Sequence, residues 1–354
     1  MDGGRQVAVS RARHPMLPTT PDKIVLFPPS FKPHLVVIID AEEDFDWSAP
    51  FSRKNNRVDT SAIQGPSRKI FERFGIIPTY VVDYPVSSQP AGFKPLLELL
   101  QSGKCEIGAQ LHSWVTPPYE EKLSEENSYA NRLPPGLEQR KLRELTNMIA
   151  ETFGLRPLIY RAGRYGAGSE TLNILQELKY EIDCSVLPGM KLSRAAPDYS
   201  GGVAQPYWLD DNCSVLEIPV TTATVGSAGR RAEYLYRSVA SPLGRWLKLP
   251  AVASRLGIVE RIRLTPEGST IDEAKRLTLD LMASGSRVFA LSYHSPSLRP
   301  GNTPYVRDQK DLETFLRWLE EYFEFFMSQV GGVSSTPLEI RNYAARMRNK
   351  SPTS

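Results

Sequence analysis

The feature that most constrains this chain is an alternation. Short apolar or β-branched runs are separated by longer segments whose apolar residues recur every three or four positions. Seven runs read as strands: LVVII (35–39), IPTYVV (77–82), CEIGAQ (105–110), LIYR (158–161), YEIDCSV (180–186), SVLEIPV (214–220) and VFALSY (288–293). Between them, GLEQRKLRELTNMIAETFG places Leu142, Leu145, Ile149 and Phe153 on one helical face, and Gly154 stops it. DQKDLETFLRWLEEYFEFFMSQVGG repeats the pattern with Leu312, Phe315, Leu316, Leu319, Phe323 and Phe326, from a cap at Asp308 to Gly331 and Gly332. Strands alternating with helices argue for a parallel sheet. The expected fold class is α/β, a single distorted parallel (β/α) barrel of about seven strands.

The barrel domain is expected over 35–332. Residues 1–34 are rich in proline and basic residues without apolar periodicity, which reads as a tail that is draped on the surface or disordered. The stretch 226–268 has short apolar clusters interrupted by Pro and Arg and reads as an insertion or lid. Residues 333–354 read as a C-terminal extension, frayed after Arg346. No repeat of fixed period is present.

Composition then excludes several function classes. Hydrophobic residues at 41% and charged residues at 23% rule out a chain disordered throughout. A net charge of +3, from 43 basic and 40 acidic residues with no long basic block, argues against nucleic acid as the partner. Cys105, Cys184 and Cys213 are widely spaced, so neither a disulfide framework nor a structural zinc cluster is indicated. No signal-peptide core and no membrane-length apolar run is found, so the expected location is cytoplasmic.

The residues that carry chemistry fall at the ends of the predicted strands. Asp40 follows LVVII, His112 follows CEIGAQL, Arg161 closes LIYR, Asp183 lies in YEIDCSV, and His294 follows FALSY. In a parallel barrel those ends converge on one face. DAEEDFDW (40–47) crowds Asp40, Glu42, Glu43, Asp44 and Asp46 together, and such repulsion is relieved by a cation or a shared proton. Otherwise it is a solvated acidic loop. His112 and His294 could ligate a metal or carry a proton, or could be structural. Trp114 could stack on a sugar ring or pack in the core. In YRAGRYGAG (160–168), the glycines allow close backbone approach, and Arg161 and Arg164 could hold an anionic group. A phosphate-cradling loop is disfavoured there, because neither GxxxxGK[ST] nor GxGxxG occurs.

In their order, these motifs resemble those of the polysaccharide deacetylases, the NodB-like carbohydrate esterases, over roughly 35–330, and most of all a branch with DxEEDFDW and HLHPWVTPP-like motifs. The resemblance implies a divalent metal, often zinc, and hydrolysis of acetyl groups on a sugar or glycan. By position, Asp40 matches the catalytic base, and Glu43 or Asp44 matches the metal-binding carboxylate. His112 matches a metal-binding His. Arg161 and Tyr165 match the motif that orients the base and holds the oxyanion, Asp183 matches the motif that supports the acid, and His294 matches the acid. Gln110 stands where the related branch has His. Allantoinase-like hydrolysis of another C–N bond and noncatalytic glycan binding are the alternative readings.

Overall fold

The computed structural model describes residues 14–45, 49–58, 60–226, 235–236, 239–240, 249 and 259–350. The strands are β1 (His34–Ala41), β2 (Thr79–Val82), β3 (Glu106–Leu111), β4 (Ile159–Ala162), β5 (Ile182–Asp183), β6 (Tyr207–Trp208), β7 (Leu216–Glu217), β8 (Thr222–Val225), β9 (Glu260–Arg263), β10 (Val288–His294) and β11 (Val333–Ser334). Among the described residues the helices are α1 (Thr60–Phe74), α2 (Tyr84–Ser88), α3 (Pro90–Gln101), α4 (Leu137–Phe153), α5 (Ser169–Glu177), α6 (Ile271–Ala283), α7 (Gln309–Glu324) and α8 (Pro337–Lys350). None of the described helices is long and apolar enough to cross a membrane.

Among the described residues, nine strands form one sheet in the order β10-β1-β2-β3-β4-β5-β7-β6, with β11 paired to the start of β1. Every pairing is parallel except β6 with β7. The sheet curls into a half-barrel. Main chain beyond β7 leans across to β10: the Thr221 N–H donates to Ala290 O at 3.2 Å, and the Ser292 N–H donates to Leu264 O at 3.3 Å. The expected distorted α/β barrel is therefore present, and each of the seven expected strand runs contains a strand. The hairpin β8–β9 lies outside that expectation.

Strand alternation divides the sheet into two apolar faces. Leu35, Val37, Ile39, Tyr80, Val82, Ile107 and Ala109 pack beneath the helices, against Ile70, Leu96, Leu145, Leu277 and Phe323. Val36, Ile38, Val81, Ile159, Ile182, Leu216 and Ala290 form the other face. Val25 and Phe27 join this second cluster from the N-terminal side, and Ile340 and Ala344 join it from α8. Phe31 stacks on His34 at the start of β1, with ring centroids 4.2 Å apart.

Two expectations need correction here. Residues 14–33 are not merely a surface tail: Met16 is fully buried, Tyr207 donates its hydroxyl to Met16 O at 2.7 Å, and Val25 and Phe27 are buried. Each fully buried large apolar side chain contributes about 1.5–3 kcal/mol, which proline content does not reveal. The C-terminal extension is likewise helical to Lys350 rather than frayed after Arg346. Residues 1–13 and 351–354, and most of the expected lid from 227 to 258, lie outside the described residues.

Candidate active site

The face carrying Val36 and Ile38 continues along β1 to Asp40, and the same alternation brings Gln110, Arg161 and His294 to the ends of β3, β4 and β10. They line one cleft of about 400 Å³ with Glu42, His112, Phe51, Arg164, Tyr165, Arg263 and Tyr305. Gly163 lets the loop after β4 close on this cleft. A Cβ there would lie 2.5 Å from Leu111 O and 2.6 Å from the His112 ring.

Asp40 and His294 make a candidate base and acid. Asp40 is 3% exposed, and its Oδ1 accepts from Arg161 Nη1 at 2.6 Å. Arg161 is itself fixed by donating Nε to Cys184 O at 3.1 Å. His294 Nε2 lies 3.9 Å from Asp40 Oδ2, while Nδ1 sits 2.7 Å from Glu267 Oε2. Burial opposes an imidazolium at His294, but Glu267, Glu42 and Asp40 outweigh it and hold the ring well above the usual histidine range. Burial likewise opposes an anionic Glu267, yet His294 and Ser297 bring its carboxyl below the ordinary value. An ionised Glu267 can only accept, so Nδ1 donates to it and Nε2 presents the transferable proton to the cleft.

His112 is the second centre. Its Nδ1 sits 2.8 Å from Glu43 Oε2, and its Nε2 faces Glu42 Oε2 at 3.4 Å. Trp114 Nε1 donates to Glu43 Oε1 at 2.8 Å, and Asp83 accepts from the Glu43 and Val86 N–H groups at 2.8 Å each. Glu43, Asp83 and His112 are close enough to hold a cation. However, all four of those carboxylate oxygens are already engaged, and neither carboxylate lines the cleft. The arrangement that opens to the cleft is Glu42 with His112 Nε2. Two donors at about 2.1 Å on a tetrahedral ion lie about 3.4 Å apart, which matches this pair. Gln110 adds a buried Oε1 without a hydrogen-bond partner on the same cleft wall. These residues fit a divalent metal, with Glu43 steadying the imidazole from behind. Burial pushes the Glu42 carboxyl up to about 8, against the pull of His294 and His112, so a cation beside it would relieve a real cost.

The loop carrying His112 is braced by Lys141 of α4. Its buried ammonium donates to the carbonyls of Ser113, Thr116 and Pro118 at 2.9, 2.6 and 2.8 Å and pairs with Glu121 at 3.0 Å. Lys141→Met should cost about 3 kcal/mol, because it strands three carbonyls and leaves the buried Glu121 carboxylate only the Arg53 contact at 3.4 Å. Urea unfolding measures this, and a loss under 1 kcal/mol would refute the bracing role.

The structure also separates the sequence candidates. Asp40, His112, Arg161, Arg164, Tyr165 and His294 share the cleft. Asp44 turns elsewhere: it accepts from Asn302 at 2.8 Å and lies 3.7 Å from Arg57. Asp183 does not reach His294. Ile182 and Cys184 face the inner cluster, so alternation sends Asp183 to the opposite face, where it bonds Ser185 and sits in register with Glu217. Burial raises both of those carboxyls. Trp114 also lines the cleft, stacked on His112 with centroids 4.3 Å apart and only 3% exposed. Arg164 bonds Ser128 and lies over the Phe51 and Tyr129 rings. Asp46 and Trp47 lie outside the described residues.

Sequence reasoning missed Glu42 as the cleft-facing carboxylate, and it missed Asp83, Glu267 and Arg263. Asp83 directly follows a predicted strand, a signal that was available. Glu267 and Arg263 lie in the stretch expected as an insertion, where no periodicity marked them.

No family model matches the sequence, and no curated protein matches it. Among solved structures, a candidate polysaccharide deacetylase from Mycobacterium smegmatis aligns with a TM-score of 0.51 at 17% identity, covering 95% of this chain and 97% of that one. A candidate glycoside hydrolase/deacetylase from Parabacteroides distasonis aligns with a TM-score of 0.53 at 9% identity, covering 94% of this chain and 74% of that one.

Proposed function

The chain has the fold of the polysaccharide deacetylases, and from that fold and its cleft we propose that it is a hydrolase removing acetyl groups from an N-acetylated sugar or glycan precursor. One observation carries the reading: an Arg161-bound Asp40 lies 3.9 Å from Nε2 of a Glu267-bound His294. That is a base and a charged acid facing one small volume, which is what splitting an amide requires. Asp40 takes the proton of the attacking water, and Arg161 keeps its carboxylate aimed. His294 gives its Nε2 proton to the departing amine. The left-handed turn at Arg164 and Tyr165, with φ of 55° and 59°, carries the peptide N–H assigned to the oxyanion. Glu42 and His112 would hold a divalent metal, with zinc the ion of choice and Gln110 a weaker third donor. When bound, such an ion polarises the acetyl carbonyl and makes water more acidic.

The test is acetate release from N-acetylated sugars with zinc, manganese or cobalt added, against a chelated control. No release with any ion would refute the reading. In that case the unpartnered Gln110 would favour a noncatalytic glycan-binding cleft, and a panel of other amides would test the allantoinase-like alternative. Gln110 carries a prediction of its own. Gln110→His should tighten zinc binding, since imidazole is the stronger donor. Competition with a chelator measures it, and unchanged or weaker affinity would remove position 110 from the metal set.

A further inference from the structure

Among the described residues three guanidinium groups line the cleft, and two are already tied to protein partners. Arg161 is committed to Asp40 through Nη1 and to Cys184 O through Nε, with only its buried Nη2 unpartnered, and Arg164 bonds Ser128, with Glu125 at 3.9 Å. Arg263 differs. The only hydrogen bond of its guanidinium among the described residues goes to the Tyr165 hydroxyl at 3.5 Å, and no described carboxylate pairs with it. The nearby acids are engaged elsewhere: Asp40 with Arg161, and Glu267 with His294 and Ser297. A half-buried guanidinium that no described carboxylate pairs, with donors opening to a cleft, is placed to receive an anionic group. Arg263 stays charged despite burial, because Tyr165, Glu267 and Tyr305 favour the cation.

We infer that Arg263 forms an anion subsite and that the substrate carries a carboxylate or phosphate beside its acetylated nitrogen. This rests on the deacetylase reading above. The planar fork of a guanidinium matches a pair of anionic oxygens. The position also fits: Arg263 and His294 line the same cleft, so a substrate that meets His294 can also reach Arg263. Arg263 also donates to Tyr165, whose backbone turn was assigned to the oxyanion. The neutral lining of Tyr305, Leu192 and Phe51 leaves the rest of the cleft open to a sugar ring.

The test compares N-acetylmuramic acid, N-acetylglucosamine 6-phosphate and N-acetylglucosamine. Binding is measured by calorimetry in an Asp40→Asn background, so that turnover does not intervene, and acetate release is measured in the unaltered protein. An acidic sugar should bind about tenfold or more tightly than the neutral one, the usual worth of a charged hydrogen-bonded pair. That advantage should collapse with Arg263→Gln and partly survive with Arg263→Lys. Preference for only one of the two acids still supports the subsite and identifies its source. Equal affinity for all three sugars, or a preference that survives Arg263→Gln, overturns the inference whether or not acetate is released. A preference without acetate release from any sugar overturns the deacetylase reading alone. Should Arg263→Gln fail to fold, inorganic phosphate decides the matter in the unaltered protein: it should displace the acidic sugars and spare the neutral one, and failure to do so counts against the subsite.

Discussion

Asp40→Asn is expected to lower kcat for acetate release by about 10²- to 10⁴-fold, the usual contribution of a positioned general base. The amide oxygen still accepts from Arg161 Nη1, so the fold should persist, with stability reduced by about 1–3 kcal/mol for the weakened charged hydrogen bond. The loss should be seen on an N-acetylated sugar and equally on an aryl acetate, because both need water to be deprotonated. Circular dichroism and thermal melting check that the variant is folded. Unchanged turnover would remove Asp40 from the mechanism and leave its contact with Arg161 purely structural.

Glu267→Gln should give the second largest effect, and it should differ in kind. Glu267 accepts from both the His294 ring and the His294 backbone N–H, at 2.7 and 3.0 Å. Removing the negative charge lowers the proton affinity of the imidazole and frees its orientation. We expect kcat on the sugar amide to fall about 10²-fold with KM little changed, because acid catalysis is what is lost. An aryl acetate has a leaving group that needs little protonation, so it should lose much less. That contrast separates a role in proton donation from simple destabilisation. Equal losses on amide and ester would show that Glu267 only holds the loop together.

Much of this site was legible before any fold was known. Asp40, His112, Arg161 and His294 were found by a rule of position: a polar residue that ends an apolar strand run in a parallel barrel faces the common rim. That rule needs only local periodicity. It failed at Asp183 because strand phase, rather than proximity to a strand, decides the face, and a shift of one residue puts the side chain on the opposite side. It could not choose among Glu42, Glu43 and Asp44, which follow β1 where the regular alternation ends. Tertiary partners made the choice: Trp114 and His112 engage Glu43, Asn302 takes Asp44, and Glu42 is left facing His112 Nε2.

The sequence by itself determined the α/β class, the parallel strands and the rim on which chemistry gathers, because hydrophobic period and turn residues are local properties that every crossover must respect. Only the tertiary structure decided which carboxylates serve which histidine, that residues 14–33 and α8 complete the inner core, and that a stretch without pattern sends Glu267 behind His294 and Arg263 to the cleft. These depend on contacts between residues far apart in the chain, such as Glu43 with His112 and the Tyr207 hydroxyl with Met16 O. Such contacts are set by the packing of whole elements and leave no period in the sequence to read.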